Sequence, residues 1–355
     1  MNFCSDNVTG ASAEVLAALA RANEGPAMPY GDDPLTADVV ERLQELFEAE
    51  AEVFLVATGS TANSLALAAM TPPYGAIYCH PESHVNTDEC GAPEFFTGGA
   101  KLVPVAGEHG KIAARDLEAT VAKGGAGVVH HVQPAAVSIT QLTESGTIYT
   151  LEETAAIAEV CRGHGLKLHM DGARFANALV TLGCSPAEAT WQAGVDALSF
   201  GATKNGALAA EAILFFDRDL AVDAGYRRKR AGHLWSKMRF IAAQFDGYLA
   251  DDLWLRNARH ANAMAAKLAH GLVAIPGAGL MHPVEGNEIF ATLPAGATDG
   301  LEADGFKFYP WGLSESRGGS VGAGGVRLVT AFNTLEADVD AFVASAARHG
   351  QAAAE

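Results

Sequence analysis

Ser199-Phe200-Gly201-Ala202-Thr203-Lys204-Asn205-Gly206 is the segment of this chain best suited to covalent chemistry. A lysine flanked by Gly, Ala and Thr after an apolar run is poorly placed for a solvated face. It suits an amine held in a tight, partly desolvated turn, where its pKa can fall and it can bond an aldehyde as a Schiff base. A second segment, His169-Met170-Asp171-Gly172-Ala173-Arg174, puts an Asp and an Arg at the carboxyl end of a buried strand, where ligands bind in doubly wound sheets. A third, Thr58-Gly59-Ser60-Thr61-Ala62-Asn63, lies between a strand and a helix. Small residues there let backbone N–H groups approach a phosphate at the positive end of the helix, and the hydroxyls add donors.

Each segment alone also has a structural reading. Lys204 could decorate the surface, Asp171 could cap a helix, and Gly59 and Ser60 could serve only the sterics of a tight turn. Their order separates the readings. A phosphate turn, then Asp171, then Lys204 at 33 residues further on (171 to 204), is the order that pyridoxal 5′-phosphate (PLP) requires. The carboxylate keeps a pyridinium nitrogen protonated so that the ring draws electrons, and the lysine holds the aldehyde.

The elements that position these residues alternate between strand and helix. Val39, Val40, Leu43, Leu46 and Phe47 recur at helical spacing, with Thr36 or Asp38 able to cap the start. Residues 53–56, 76–79, 101–105, 127–129, 136–139, 166–170, 195–200 and 212–216 read as strands. Between them lie helices at 62–70 and at Leu151 to Arg162, the latter opened by a Thr150/Glu153 capping box, and Ser185-Pro186-Ala187-Glu188 opens another. Continuous apolar strands joined by helices mean an α/β fold, a mostly parallel sheet with helices on both faces. A helical region from about Leu220 to His270 leads into short strands at 288–293, 306–309 and 326–329 and a terminal helix near 335–347. The expected division is a large PLP-binding domain over 1–250, with an N-terminal arm over 1–30, and a small C-terminal α+β domain over 251–355.

Bulk properties narrow the function classes. The 355 residues include 24 basic and 42 acidic side chains, a net charge of −18, which argues against nucleic acid as a partner. Apolar runs fall well short of the roughly 18 residues a membrane span needs, so no membrane partner is expected. The first thirty residues carry Asp6, Glu14 and Glu24 and do not resemble a secretion signal. Cys4, Cys79, Cys90, Cys161 and Cys184 form no CxxC pair, which suits reduced thiols in a cytoplasmic protein. His130-His131 in an expected strand and His164 at a helix end lack ligand spacing, and no metal is expected.

Across nearly its whole length the chain resembles the threonine aldolases of the fold-type I, aminotransferase-like PLP superfamily, in particular their bacterial low-specificity branch. The resemblance rests on Ser5-Asp6-Asn7, Tyr30-Gly31-Asp32-Asp33, Gly59 through Ser64, and His84 within Ser83-His84-Val85-Asn86-Thr87-Asp88-Glu89. It continues through Ser138-Ile139-Thr140-Gln141, the Asp171 and Lys204 segments, and Val326-Arg327-Leu328-Val329-Thr330. It implies a PLP enzyme that cleaves the Cα–Cβ bond of L-threonine, L-allo-threonine or phenylserine to glycine and an aldehyde. The working unit it implies is a homodimer or homotetramer with shared active sites.

By that resemblance Gly59, Ser60 and Thr61 bind the phosphate, joined by Lys229 and Arg230 from another subunit. His84 stacks on the ring near the substrate hydroxyl, Asp171 pairs with the ring nitrogen, and Lys204 carries the cofactor. Ser5, Tyr30, Arg174 and Arg327 face the substrate, and Arg174 also lies near the ring hydroxyl. Many family members carry a second histidine where Glu144 stands here, which leaves His84, Glu144 or a water as the base. Two competing readings are β-elimination or transamination on the same scaffold, and a non-catalytic PLP-binding protein.

Overall fold

The computed structural model describes residues 1–312 and 325–352. Seven apolar runs form strands β1 (Glu52–Val56), β2 (Gly75–Cys79), β3 (Lys101–Pro104), β4 (Gln133–Thr140), β5 (Lys167–Gly172), β6 (Ala197–Gly201) and β7 (Glu211–Phe215). They pair in the order β1-β7-β6-β5-β4-β2-β3. Neighbours from β3 through β6 are parallel, and β7 alone runs against both β6 and β1. Alternate residues feed opposite faces: Leu198, Phe200 and Leu214 enter one core, while Ala197, Ile213 and Phe215 enter the other. That is the period-two geometry of a sheet covered on both sides. Phe200 anchors the larger core, with the rings of Phe47, Phe175, Phe245 and Trp254 centred 5.5, 5.9, 6.0 and 5.7 Å away.

A second, antiparallel sheet, ordered β10-β11-β9-β8, holds β8 (Gly279–Leu280), β9 (Glu288–Thr292), β10 (Tyr309–Pro310) and β11 (Gly325–Val329). The helix Glu336–Ala352 packs on it around Phe342, with Phe306 and Phe308. The chain start joins this sheet: Phe3 donates to the Lys307 carbonyl at 2.7 Å and accepts from Val329 N–H at 2.8 Å. This pins the segment carrying Ser5 and Asp6 between the two sheets. The helix Leu253–Val273 is shared, since Leu253 and Trp254 belong to the large core and Ala265 to Leu272 to the second one.

Several local expectations are corrected. The run 127–129 is not a strand: Gly125 and Gly127 take positive φ, Val129 is fully exposed, and His130-His131 lie in a turn. The strand begins six residues later, at Gln133. The helix over 34–46 is capped by Asp33, whose Oδ1 accepts from Thr36 N–H at 2.9 Å, and Thr36 and Asp38 lie inside it after Pro34. At Ser185 the reciprocal capping bonds with Glu188 form, at 2.8 and 3.2 Å, but only turns and the single 3-10 turn Trp191–Ala193 follow before Gly194. So short a segment cannot repay helix nucleation. The helical region after 220 divides into Ala224–Arg230, Arg239–Leu249 and Leu253–Val273, broken at Gly232 and at Asp251-Asp252, all with positive φ. No helix among the described residues is long and apolar enough to cross a membrane.

Candidate active site

Lys204 sits in the short helical turn Thr203–Asn205 that follows β6. Gly201 ends that strand against the backbone of Ala173, which a Cβ would strike at 2.7 Å from its oxygen. The lysine strand and the Asp171 turn are therefore pressed backbone on backbone. On the far side Gly206, at φ +111°, lies where any Cβ would run into Ser12 and Asn257. Asn205 Nδ2 donates to the Tyr248 hydroxyl and the Trp254 carbonyl, both at 2.8 Å. Asn257 Nδ2 donates to the Asn205 carbonyl at 2.8 Å and to Ser12 at 3.0 Å. The turn is rigid, yet Lys204 itself has no hydrogen bond or ion pair among the described residues and lies in the field of Asp6, His84 and Glu211.

Asp171 caps no helix. Its Oδ1 accepts from Ala173 N–H at 3.0 Å, and the next helix opens only at Phe175. Its Oδ2 accepts from Asn63 Nδ2 at 2.8 Å, and the same amide nitrogen donates to Glu89 Oε1 at 2.8 Å. Glu89 Oε1 in turn accepts from His84 Nδ1 at 2.9 Å. A continuous chain, Asp171–Asn63–Glu89–His84, thus crosses the carboxyl ends of the strands. Tying Nδ1 to a carboxylate leaves Nε2 as the nitrogen that can exchange a proton. The Glu89 bond holds His84 above its ordinary pKa against the opposing effect of burial, with Asp171 adding to the rise. Burial also pushes Glu89 upward, against the pull of its bonds to His84 and Asn63.

Glu144 joins the same place. Its Oε1 accepts from His84 N–H at 2.6 Å and Thr140 Oγ1 at 3.0 Å, while Oε2 is sealed from solvent with no partner. Burial, reinforced by Asp171, pushes its carboxyl up to about 7. His169, in contrast, is a core histidine between Ser138 and Ser199, pushed by burial down to about 4.

The phosphate-type turn opens the helix Gly59–Met70, with Thr58 Oγ1 accepting from Thr61 N–H at 3.3 Å. A Cβ on Gly59 would meet nothing within 4 Å, so space is open above the helix's positive end. His233 braces this turn. Its Nδ1 accepts from Ala57 N–H at 3.3 Å, which leaves Nε2–H to donate to Thr61 Oγ1 at 2.9 Å. Thr58 also donates to Thr61 Oγ1, so the Thr61 hydroxyl has its own hydrogen left to give.

The two arginines converge on the chain start. Arg174 donates from Nε and Nη2 to Asp6 at 2.7 and 3.1 Å, and its Nη1 lies 3.1 Å from Glu288 Oε2. Burial opposes the Arg174 charge, but Asp6 and Glu288 overcome it and hold the guanidinium protonated. Arg327 reaches Glu288 Oε1 at 2.5 Å and the Cys4 carbonyl at 3.2 Å. Among the described residues all three Arg174 nitrogens are engaged and Arg327 uses two. Ser5 Oγ accepts from Asn7 N–H beside them.

The structure therefore brings Ser5, His84, Asp171, Arg174, Lys204 and Arg327 together, with Gly59, Ser60 and Thr61 on the helix that carries Asn63. Among the described residues, Tyr30, Lys229 and Arg230 form no hydrogen bond with any of these. Lys229 Nζ stands 4.8 Å from the centre of the Tyr30 ring, and both it and Arg230 are exposed. Sequence reasoning missed Asn63 as a bridge, Glu89 and His233. No three His, Cys, Asp or Glu side chains among the described residues gather as a metal site.

Known proteins match this chain over most of its length. The family model described as beta-eliminating lyase matches residues 2–295. A low-specificity L-threonine aldolase of Pseudomonas aeruginosa is 48% identical over 332 residues, covering 94% of this chain and 93% of its own. One from a Pseudomonas species is 45% identical over 95% of this chain and 94% of its own. The solved structure of Leishmania major threonine aldolase superposes with a TM-score of 0.90 at 30% identity, covering 98% of both chains. Matched in this way from near one end to the other, the chain belongs to the beta-eliminating lyase family, on its threonine aldolase branch.

Proposed function

We propose that this enzyme cleaves the Cα–Cβ bond of L-threonine, L-allo-threonine and related β-hydroxy-α-amino acids such as phenylserine, giving glycine and an aldehyde, with PLP carried on Lys204. The Asp171–Asn63–Glu89–His84 chain, facing a rigidly held Lys204, carries this reading. The residues fit the cofactor. Lys204 has no partner to give up among the described residues, and Asn63 Oδ1, Ser64 Oγ and Glu144 Oε2 are buried polar atoms without partners. When bound, PLP supplies a sink for the electron pair left as the bond breaks.

The protein's own groups do the rest. Asp171 holds a proton on the ring nitrogen, while Gly59, Ser60 and Thr61 hold the phosphate. Arg327, Ser5 and Arg174 hold the substrate carboxylate, fixing which bond of Cα faces the ring. His84 Nε2, or Glu144 or a water in its place, takes the β-hydroxyl proton. His84→Asn is expected to lower kcat about a hundredfold and to change the preference between threonine and allo-threonine, which differ in where the hydroxyl points. Glu89 raises the His84 pKa above its usual 6.5, so Glu89→Gln should move the rise of activity with pH to lower pH. Unchanged kinetics with both isomers would hand the role to Glu144 or a water.

Aldehyde release from L-threonine, L-allo-threonine and phenylserine by the purified protein tests the activity itself, and no aldehyde from any of them would overturn it. β-Elimination is the second reading, favoured by the family's description, and would release ammonia instead.

The same reading makes the protein a cytoplasmic homodimer or homotetramer whose large domain ends near residue 250. Exposed Met28, Tyr30, Val222, Tyr226 and Trp235 flank the basic run Arg227–Arg230 and offer an apolar surface to a second copy. Lys229 and Arg230 would then reach a neighbour's phosphate. Mixing inactive Lys204→Ala with Lys229→Ala/Arg230→Ala under subunit exchange is expected to restore activity through hybrid sites. No recovery despite proven exchange would rule sharing out.

A further inference from the structure

His233 is a half-buried histidine that none of the roles above uses. It follows the helix Ala224–Arg230, where Gly232 at φ +79° turns the chain and His233 N–H donates to the Arg228 carbonyl at 3.0 Å. Arg228 is itself fastened to β1. Its Nη1 donates to the Leu55 carbonyl at 3.4 Å, and its guanidinium carbon lies 5.2 Å from the centre of the Phe54 ring. The segment is thereby held along β1, and the imidazole lands where that strand runs into the Thr58–Thr61 turn. There it is bonded to Ala57 N–H on one side and to the Thr61 hydroxyl on the other.

A backbone N–H can only donate, so His233 Nδ1 accepts from Ala57 and the single proton of the neutral ring sits on Nε2. Burial, which holds the His233 pKa below its ordinary value, favours that neutral form. Thr61 Oγ1 then accepts twice, from His233 Nε2–H and from the Thr58 hydroxyl, each at 2.9 Å. A hydroxyl has two lone pairs and one hydrogen. Both lone pairs are filled, and only the hydrogen is left for a ligand. We propose that His233 is a positioning residue that makes the Thr61 hydroxyl a donor only, so that the Gly59–Thr61 turn selects the phosphorylated form of the cofactor. The proposal rests on that turn as the phosphate site. The rest of the turn agrees in sign, because a helix start presents N–H groups and the positive end of its dipole. With His233 in place the Thr61 hydroxyl donates as they do, which suits phosphate oxygens that only accept. A phenylalanine at 233 would fill the space and make neither bond. A glutamine carries one acceptor and one donor, and could make both.

The test resolves the cofactor from the purified holoenzyme and titrates two probes back, read by quenching of protein fluorescence. One is PLP and the other is pyridoxal, the same aldehyde without the phosphate. His233→Phe is expected to bind PLP about tenfold or more weakly than wild type, the scale of one hydrogen bond to a charged group, with its affinity for pyridoxal unchanged. His233→Gln should recover most of the loss. An equal fall for both probes would mean a general loosening of the fold and would overturn the proposal, as would no fall for either. Thr61→Val separates this role from the reading beneath it. A lost preference for PLP in Thr61→Val beside a full preference in His233→Phe overturns the role of His233 alone. A full preference in both variants takes the phosphate away from Thr61, and the proposal falls together with that phosphate site.

Discussion

Replacing Lys204 with Ala is expected to abolish the yellow colour of the purified protein and to lower threonine turnover by at least about a thousandfold. The expectation follows from how the lysine is held. Gly201 and Gly206 admit no side chain, and Asn205 and Asn257 clamp the turn from the helical side, so the amine projects from a rigid base. Fixed geometry of this kind is what makes a nucleophile effective, and among the described residues Lys204 is the lysine whose charge acts on His84. Absorbance spectra and borohydride labelling read the outcome. A yellow Lys204→Ala protein with near-normal turnover would contradict the assignment.

Asp171→Ala should cost at least about a hundredfold in turnover, the scale of losing one preorganised charge at a reacting centre. Asp171 is almost fully buried, and both of its oxygens are fixed, by Ala173 N–H and Asn63 Nδ2. On the proposed reading it would act twice, holding the ring-nitrogen proton and, through its field, raising the pKa of both His84 and Glu144. The variant should therefore lose rate and also shift its remaining pH profile to lower pH. A variant that binds PLP and turns over normally would reduce Asp171 to a brace for the Ala173 turn.

The candidate catalytic residues carried on strand ends were legible because their strands are. Apolar runs before Thr58, Asp171 and Lys204 announce both the element and the place where it ends, and the sheet puts those ends on one edge, β5 beside β6 and β1 one strand beyond. What stayed hidden depends on partners far apart in sequence. Asn63 meets Asp171 across 108 residues and His233 meets Thr61 across 172, and no local pattern marks either. Local misreadings had local causes. Val128 and Val129 have strand propensity, but glycines at 125 and 127 turn the chain there. Asp33, Thr36 and Asp38 are all good caps, and Pro34 at the first helical position decided for Asp33. The carboxylates Asp6 and Glu288 on Arg174 could not be foreseen, since they arrive from the chain start and from the second sheet.

The most direct measurement follows the carbon skeleton of L-threonine labelled with carbon-13 at Cα and Cβ during turnover by the purified holoenzyme. Cleavage of Cα–Cβ, as proposed, sends the Cα label to glycine and the Cβ label to acetaldehyde in equal amounts, with no ammonia released. Both labels remaining adjacent in one four-carbon keto acid, with ammonia formed in step, would contradict it and make the protein an eliminating enzyme on the same scaffold.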